Sequence, residues 1–316
     1  MFLDRAPLTP QQQKALQRLR NEINEEKLYQ EGDTLDSDDR TLLRFLRARN
    51  FDVKTAKKML VDCLKWRRTV EDIGIDELYR RIDPFDLGRP LNVHFIGGIN
   101  LPELYKDVTP ERHWQTIIVN AESLVREVLP ACSAEAGRHI NQALVVADLS
   151  GFSLQQFWRM KWLVRQSFQI SQDYFPEAMG QLVVINSPSS FTAIWSAIKP
   201  WISAETAAKV TVLGADYISV LRDLVPPENL PAALGGACTC ADAGGCSFSG
   251  AGPWMVGRKE RRDGWLAGKL ASPAVQWGEG QSEGTDVGGE DEVVGATVDG
   301  QALAANVESL SAPIAA

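Results

Sequence analysis

Residues 181–202 read QLVVINSPSSFTAIWSAIKPWI. Leu182 to Ile185 put apolar side chains on both faces of an extended chain, as a strand covered above and below requires. Asn186 to Ser190 is a turn rich in Ser and Pro. From Phe191 the period changes, and Phe191, Ile194, Trp195 and Ile198 recur at i, i+3, i+4 and i+7 on one helical face. A buried strand that passes through a short turn into an amphipathic helix is half of an α/β unit.

Working outward, the same alternation repeats. PLNVHFIGGI (90–99), ALVVADLSG (143–151) and KVTVLG (209–214) read as further strands, and ERHWQTIIVNAESLVREVL (111–129) and LQQFWRMKWLVRQSFQISQDYF (154–175) as helices between them. Strand, helix, strand, helix predicts an α/β fold with helices covering the sheet. DYISVLRDLV (216–225) is a last helix, followed by the turn PPENLPAALGG (226–236). Upstream the pattern is purely helical. Leu16, Leu19 and Ile23 mark a first helix, and Leu42, Leu43, Phe45 and Leu46 mark a second beside a stripe of Arg40, Arg44 and Arg47. Asp52 caps a third, whose face is Val53, Ala56, Leu60, Cys63 and Leu64. The arginine stripe is most simply a solvated helix face.

After Trp254 the composition shifts to Gly, Ala, Ser and acidic residues without a sustained period, so residues 256–316 are expected to be a disordered tail. The basic cluster GRKERRDGW (257–265) in it reads as a solvated charge run.

The chain has 316 residues, a net charge of −8 and a pI near 5.1, which argues against nucleic acid as a partner. Its beginning, MFLDRAPLTPQQQK, lacks the pattern of a signal peptide, and no run of apolar residues is long enough to span a bilayer. A soluble protein of a reducing compartment is expected, since Cys63, Cys132, Cys238, Cys240 and Cys246 are too few and too uneven for a disulfide framework. No Walker, dinucleotide or nucleophile-elbow motif is present, and His94, His113 and His139 fall in unrelated segments, so no enzyme is expected. Cys238, Cys240 and Cys246 could be three zinc ligands, but a closed structural site needs a fourth and none lies nearby in sequence, so the expectation is a loop without metal.

Five stretches together, DDRTLLRFLRARNFDVKTAKKMLVDCLKWRR (38–68), VVADLSGFS (145–153), YFPEAMGQLVVINSPSSFTAIWSAIKPWI (174–202), AAKVTVLG (207–214) and PPENLPAALGG (226–236), resemble the CRAL-TRIO lipid-transfer family. The similarity is greatest to its fungal cytosolic phosphatidylinositol/phosphatidylcholine transfer proteins and runs colinearly over roughly residues 10–255. The resemblance implies an N-terminal helical unit (8–72) and a lipid-binding domain (73–255). In that domain a mixed β-sheet floors a deep apolar pocket closed by a mobile gate helix. It implies no cofactor, only a bound phospholipid. Carrying such a lipid through water exposes about 30 methylene equivalents at about 0.8 kcal/mol each, which a protein sheath removes.

By the same resemblance the phosphatidylinositol headgroup falls to Arg49, Glu177, Thr206 and Lys209: cations and a hydroxyl for phosphate, and a carboxylate for inositol hydroxyls. Phe191, Ile194, Trp195, Ile198 and Trp201 fall in the gate, with the two indoles suited to a membrane interface. Where relatives bind phosphatidylcholine with a Ser-x-Thr pair and a tyrosine, this chain has Ala143, Val145 and Glu127. Two hydroxyls become apolar and a third site an anion, so weakened phosphatidylcholine binding is expected. The stretch before GRP (88–90) is shorter than in the family, which removes part of a loop leading into the sheet. The implied partners are phosphatidylinositol, a transient membrane surface and a phosphoinositide kinase. The implied place is the cytoplasm, in peripheral contact with Golgi, endosomal or other membranes. Presentation of lipid to such a kinase, or carriage of a sterol-like or squalene-like hydrophobe, are the competing readings.

Overall fold

The structure, a computed structural model, describes residues 7–82, 93–246, 249 and 251–275. Its first unit is the helical one expected. Helix α1 (Pro10–Glu25) opens on a capping box in which the Thr9 hydroxyl accepts from the Gln12 N–H and the Gln12 side chain accepts from the Thr9 N–H. Helices α2 (Asp39–Arg47) and α3 (Val53–Thr69) are capped by Asp38 and Asp52. Leu19, Ile23, Leu42, Phe45, Leu46, Leu60 and Cys63 from the three helices close one apolar core.

Four strands follow: β1 (Val93–Phe95), β2 (Ala143–Asp148), β3 (Met179–Ile185) and β4 (Val210–Val212). They pair in the order β1-β2-β3-β4, and every pair is parallel. The α/β class is as expected. In detail the sheet is parallel throughout the described residues, where a mixed one was implied. Because each strand runs parallel to the last, every connection must cross back over the sheet and carries helix. Between β1 and β2 run α5 (Leu101–Asp107), α6 (Pro110–Ser123) and α7 (Leu129–Ala136). Between β2 and β3 runs α8 (Leu154–Tyr174), and between β3 and β4 run α9 (Phe191–Ile198) and α10 (Ala204–Ala208). Alternation along the strands splits the core in two. Ala147 and Val184 face α8 and α9, while Val146, Val183 and Ile185 face Leu221 of α11 (Ile218–Leu224) with Leu230 and Leu234.

Besides α12 (Arg258–Leu266), four described α-helices escaped the periodicity reading, α4 (Ile75–Arg81), α5, α7 and α10, each of five to eight residues and too short for a pattern to show. Between α6 and α7 the helix widens into a π turn, Leu124–Val128. Pro130 explains it, because its ring has no N–H to give and crowds the carbonyl four residues back.

The expectation of disorder from residue 256 fails where that segment is described. Arg258–Leu266 is a helix, α12, and its Trp265 is buried against Tyr79, with the Arg80 guanidinium 4.3 Å from its ring centre. The basic cluster is correspondingly not a solvated run. Arg258 and Arg262 are buried, Arg262 donating to the carbonyls of Tyr79 and Arg80, and Arg261 donates to the carbonyls of Trp254 and Pro273. A guanidinium with five donors can terminate several buried carbonyls at once, which composition alone does not reveal.

Candidate functional site

Parallel pairing brings the starts of neighbouring strands side by side, and this is how the site forms. Leu182 pairs with Val210, and the Leu182 N–H donates to the Lys209 carbonyl at 2.9 Å. Lys209 therefore stands at the mouth of β4 beside the residues that lead into β3. Glu177 is among them, held in the left-handed region at φ 61°. Its Oε1 lies 3.4 Å from Lys209 Nζ, and its Oε2 accepts from Gln142 Nε2 at 3.3 Å, Gln142 being the residue before β2. A β-carbon at Gly180 would stand 3.1 Å from the Gln142 β-carbon, so the glycine keeps room for that amide. From the helical unit, Arg44 Nε donates to the Pro176 carbonyl at 3.0 Å and fixes the turn that carries Glu177.

Thr206 lies one turn before Lys209 on α10, with its hydroxyl 2.9 Å from that of Ser203, which caps the helix. Arg49 is placed differently. It donates to the Ala48 carbonyl and lines a cleft of about 430 Å³ with Asp62, Lys65, Trp66, Asp173 and Tyr174. Its charge acts on Asp173, whose carboxyl burial raises and Arg49 lowers, with the net shift upward. So Glu177 and Lys209 are in contact, Thr206 shares the short α10 segment with Lys209, and Arg49 faces the end of α8.

The Glu177–Lys209 pair is loose. At 3.4 Å, with side chains 13% and 26% exposed, it contributes less than about 1 kcal/mol, so an anionic ligand can take the lysine at small cost. Sequence reasoning missed Gln142 and Arg44. The arginine was assigned to a solvated face, whereas it is half-buried and bonded across to the sheet domain. Its spacing could not show that, because the acceptor is 132 residues away.

The five gate residues gather over the sheet. Phe191, Ile194 and Ile198 are buried against Ala147, Val184, Phe157 and Met160, Trp195 stacks on Phe191 at 6.3 Å, and Trp201 on Phe157 at 6.4 Å. Gln172 of α8 donates to the Trp201 carbonyl and accepts from the Ser203 N–H, tying the end of the gate down. Helix α9 therefore lies packed against this face of the sheet. The cleft beside Arg49 lies between α3 and the end of α8, and a second, of about 220 Å³, lies beside Gln30, Asp33, Arg68 and Asp76. The shortened stretch at 84–87 lies outside the described residues. Ala143 and Val145 are on the gate-facing side of β2, in line with Ala147 and half-buried.

Glu127 does not face that region as a repulsive anion. It is 1% exposed, accepts from the Tyr79 hydroxyl at 2.6 Å and is paired with Arg258 Nε at 2.8 Å and Nη2 at 3.0 Å. The expectation fails because the compensating cation comes from α12, in the segment read as disordered. The next turn of the same helix carries a second buried network. Glu122 takes both terminal nitrogens of Arg67, at 2.8 and 2.9 Å, and Arg126 Nε at 2.7 Å, while Arg126 also reaches Asp76. Burial alone would raise the Glu122 carboxyl, but Arg67 and Arg126 outweigh it and hold it at about 2. Burial and then Glu127 push the Tyr79 hydroxyl upward, so it stays a donor.

On the outer side of α8, Trp158 and Trp162 are more than half exposed, one turn apart, with Lys161 Nζ 4.7 Å from the Trp158 ring centre. No helix among the described residues is long and apolar enough to cross a membrane.

A helical cap on a parallel sheet, an apolar helix lying across one sheet face and a carboxylate–ammonium pair at the strand mouths define a two-part α/β binding protein. The chain belongs to the CRAL/TRIO family: residues 88–236 match the CRAL/TRIO domain and residues 13–62 the CRAL/TRIO N-terminal domain. It is 39% identical to the Sec14 cytosolic factor of Schizosaccharomyces pombe, over 69% of this chain and 80% of that one. It is 38% identical to the SEC14 cytosolic factor of Candida glabrata, over 69% and 77%. It is 33% identical to the phosphatidylinositol/phosphatidylcholine transfer protein SFH11 of Arabidopsis thaliana, over 69% and 62%.

Proposed function

We propose that this protein transfers lipid between membranes without covalent chemistry, with phosphatidylinositol as its ligand and phosphatidylcholine as a poor one. The observation that carries the reading is the loose Glu177–Lys209 pair at the strand mouths, beside a sheet face covered by a short apolar helix. Lys209 would take the phosphate and Glu177 would accept from inositol hydroxyls, with Thr206 adding a donor from α10. Arg49 requires a rearrangement to join them, since it faces the end of α8 in the closed state.

Lipid entry requires α9 to leave the sheet. That exposes Phe191, Ile194 and Ile198, and a bilayer is the solvent that covers them, so the open state is selected at the membrane. Trp195 and Trp201 then sit at interfacial depth, while Trp158 and Trp162 are already exposed for first contact, made from the cytoplasm with Golgi, endosomal or other membranes. The weak phosphatidylcholine binding follows from Ala143 and Val145, which give the choline phosphate no hydroxyl. Glu127 takes no part, being neutralised by Arg258.

A vesicle assay tests the reading. Labelled phosphatidylinositol should move from donor to acceptor vesicles while labelled phosphatidylcholine stays behind. Stimulation of a phosphoinositide kinase without net transfer would replace this reading with that of a lipid presenter. Movement of neither phospholipid, with uptake of a sterol, would make it a hydrophobe carrier.

A further inference from the structure

Three of the five cysteines lie in one loop beyond the turn at 226–236, and the loop is anchored. Cys238 pairs in a parallel bridge with Pro231, its N–H donating to the Leu230 carbonyl at 3.0 Å and its carbonyl accepting from Ala232 at 2.8 Å. Leu230 and Leu234 are buried under the sheet, so the base of the loop is fixed. The chain then turns back sharply. Cys240 takes φ 43°, a conformation uncommon for a residue with a side chain, and its carbonyl accepts from both Ala243 and Gly245. The N–H of Ser249, itself buried, donates to the Cys246 carbonyl.

The turn draws three sulfurs together. Cys238 Sγ is 3.4 Å from Cys240 Sγ and 3.6 Å from Cys246 Sγ, and all three lie within 4.8 Å of one another. Thiolates bound tetrahedrally at ~2.3 Å to a zinc ion sit ~3.8 Å apart, within a few tenths of an ångström of the two separations from Cys238. The side chains are half exposed, which leaves a path for an ion. We propose that Cys238, Cys240 and Cys246 form a three-thiolate site for a soft d¹⁰ cation, zinc(II), with water or the Ser249 hydroxyl in the fourth position. The missing fourth protein ligand that argues against a closed structural site is what leaves that position open.

Binding displaces the thiol protons to solvent, and affinity rises with pH.

The test is metal titration of the full-length chain, freshly reduced, with zinc(II) competed against a chromophoric chelator and cobalt(II) as a spectroscopic substitute. One zinc per chain is expected, with a sulfur-to-cobalt charge-transfer band. Cys132→Ser should leave both unchanged and Cys240→Ser should abolish both. Should Cys240→Ser fail to fold, alkylation of the unaltered protein decides: zinc should protect Cys238, Cys240 and Cys246 but not Cys132. Equal zinc binding by the unaltered chain and the folded Cys240→Ser variant, or no protection, overturns the proposal. So does protein isolated without reductant that shows three titratable thiols in place of the five present, with a disulfide inside the loop. None of these readouts involves lipid, so they are independent of the proposed transfer activity.

Discussion

Glu127 Oε2 lies 2.8 Å from Nε of Arg258, joining a π turn inside the helical part of the CRAL/TRIO domain to a helix 131 residues further on. Both groups are almost wholly out of water, and the attraction of the guanidinium offsets the cost of burying the carboxylate.

Removing one partner should therefore be costly. Arg258→Met, or truncation before residue 257, leaves the Glu127 carboxylate with the Tyr79 hydroxyl alone, and a loss of about 3–5 kcal/mol is expected in urea unfolding. Glu127→Gln combined with Arg258→Met should cost less than Arg258→Met by itself. Equal losses would show that α12 is held by Trp265 and not by the ion pair.

Glu122 predicts the acid limit of stability. Its carboxyl is held at about 2 against an ordinary value of 4.5. The group binds fewer protons folded than unfolded, so its contribution is fully present above pH 4.5 and lost as pH falls toward 2. Unfolding free energy should decline through that window, and in Glu122→Gln, whose baseline is lower, the slope should be visibly shallower. An unchanged slope would remove the Arg67–Glu122–Arg126 network from this role.

The Arg67 and Arg258 networks show where sequence reasoning stops. The three N-terminal helices, the cap at Asp52, and the strand cores were legible because each rests on local rules of period and capping. The family resemblance pointed to Glu177, Lys209 and Thr206, of which the first two are in contact. Neither showed that Arg44 reaches Pro176, that Glu127 faces Arg258, or that Trp265 is core. Those partners are more than a hundred residues apart, and a charged or glycine-rich stretch looks the same in composition whether it is solvated or docked. The segment 258–266 was misread for that reason.

On the proposed reading, headgroup selectivity rests on two sets of residues. Lys209→Ala should abolish phosphatidylinositol transfer and leave the unfolding midpoint within about 1 kcal/mol of the unaltered protein, since the ion pair it breaks is loose and partly solvated. Ala143→Ser with Val145→Thr should raise phosphatidylcholine binding by restoring two hydroxyl donors on the gate-facing side of β2. No gain would mean that the closed gate, and not the missing hydroxyls, excludes that lipid.

Membrane contact is predicted to begin on α8. Trp158→Ala with Trp162→Ala should weaken sedimentation with phospholipid vesicles while changing stability little, because both rings are more than half exposed. Trp195→Ala should spare initial vesicle binding and slow transfer, as expected for a side chain used only once α9 opens.

The most direct test of the account is native mass spectrometry of the purified protein after incubation with vesicles containing both phospholipids. One phosphatidylinositol per chain is predicted, absent from Lys209→Ala, with phosphatidylcholine no more than a trace. A chain that emerges without lipid, or with phosphatidylcholine as the main adduct, would contradict it.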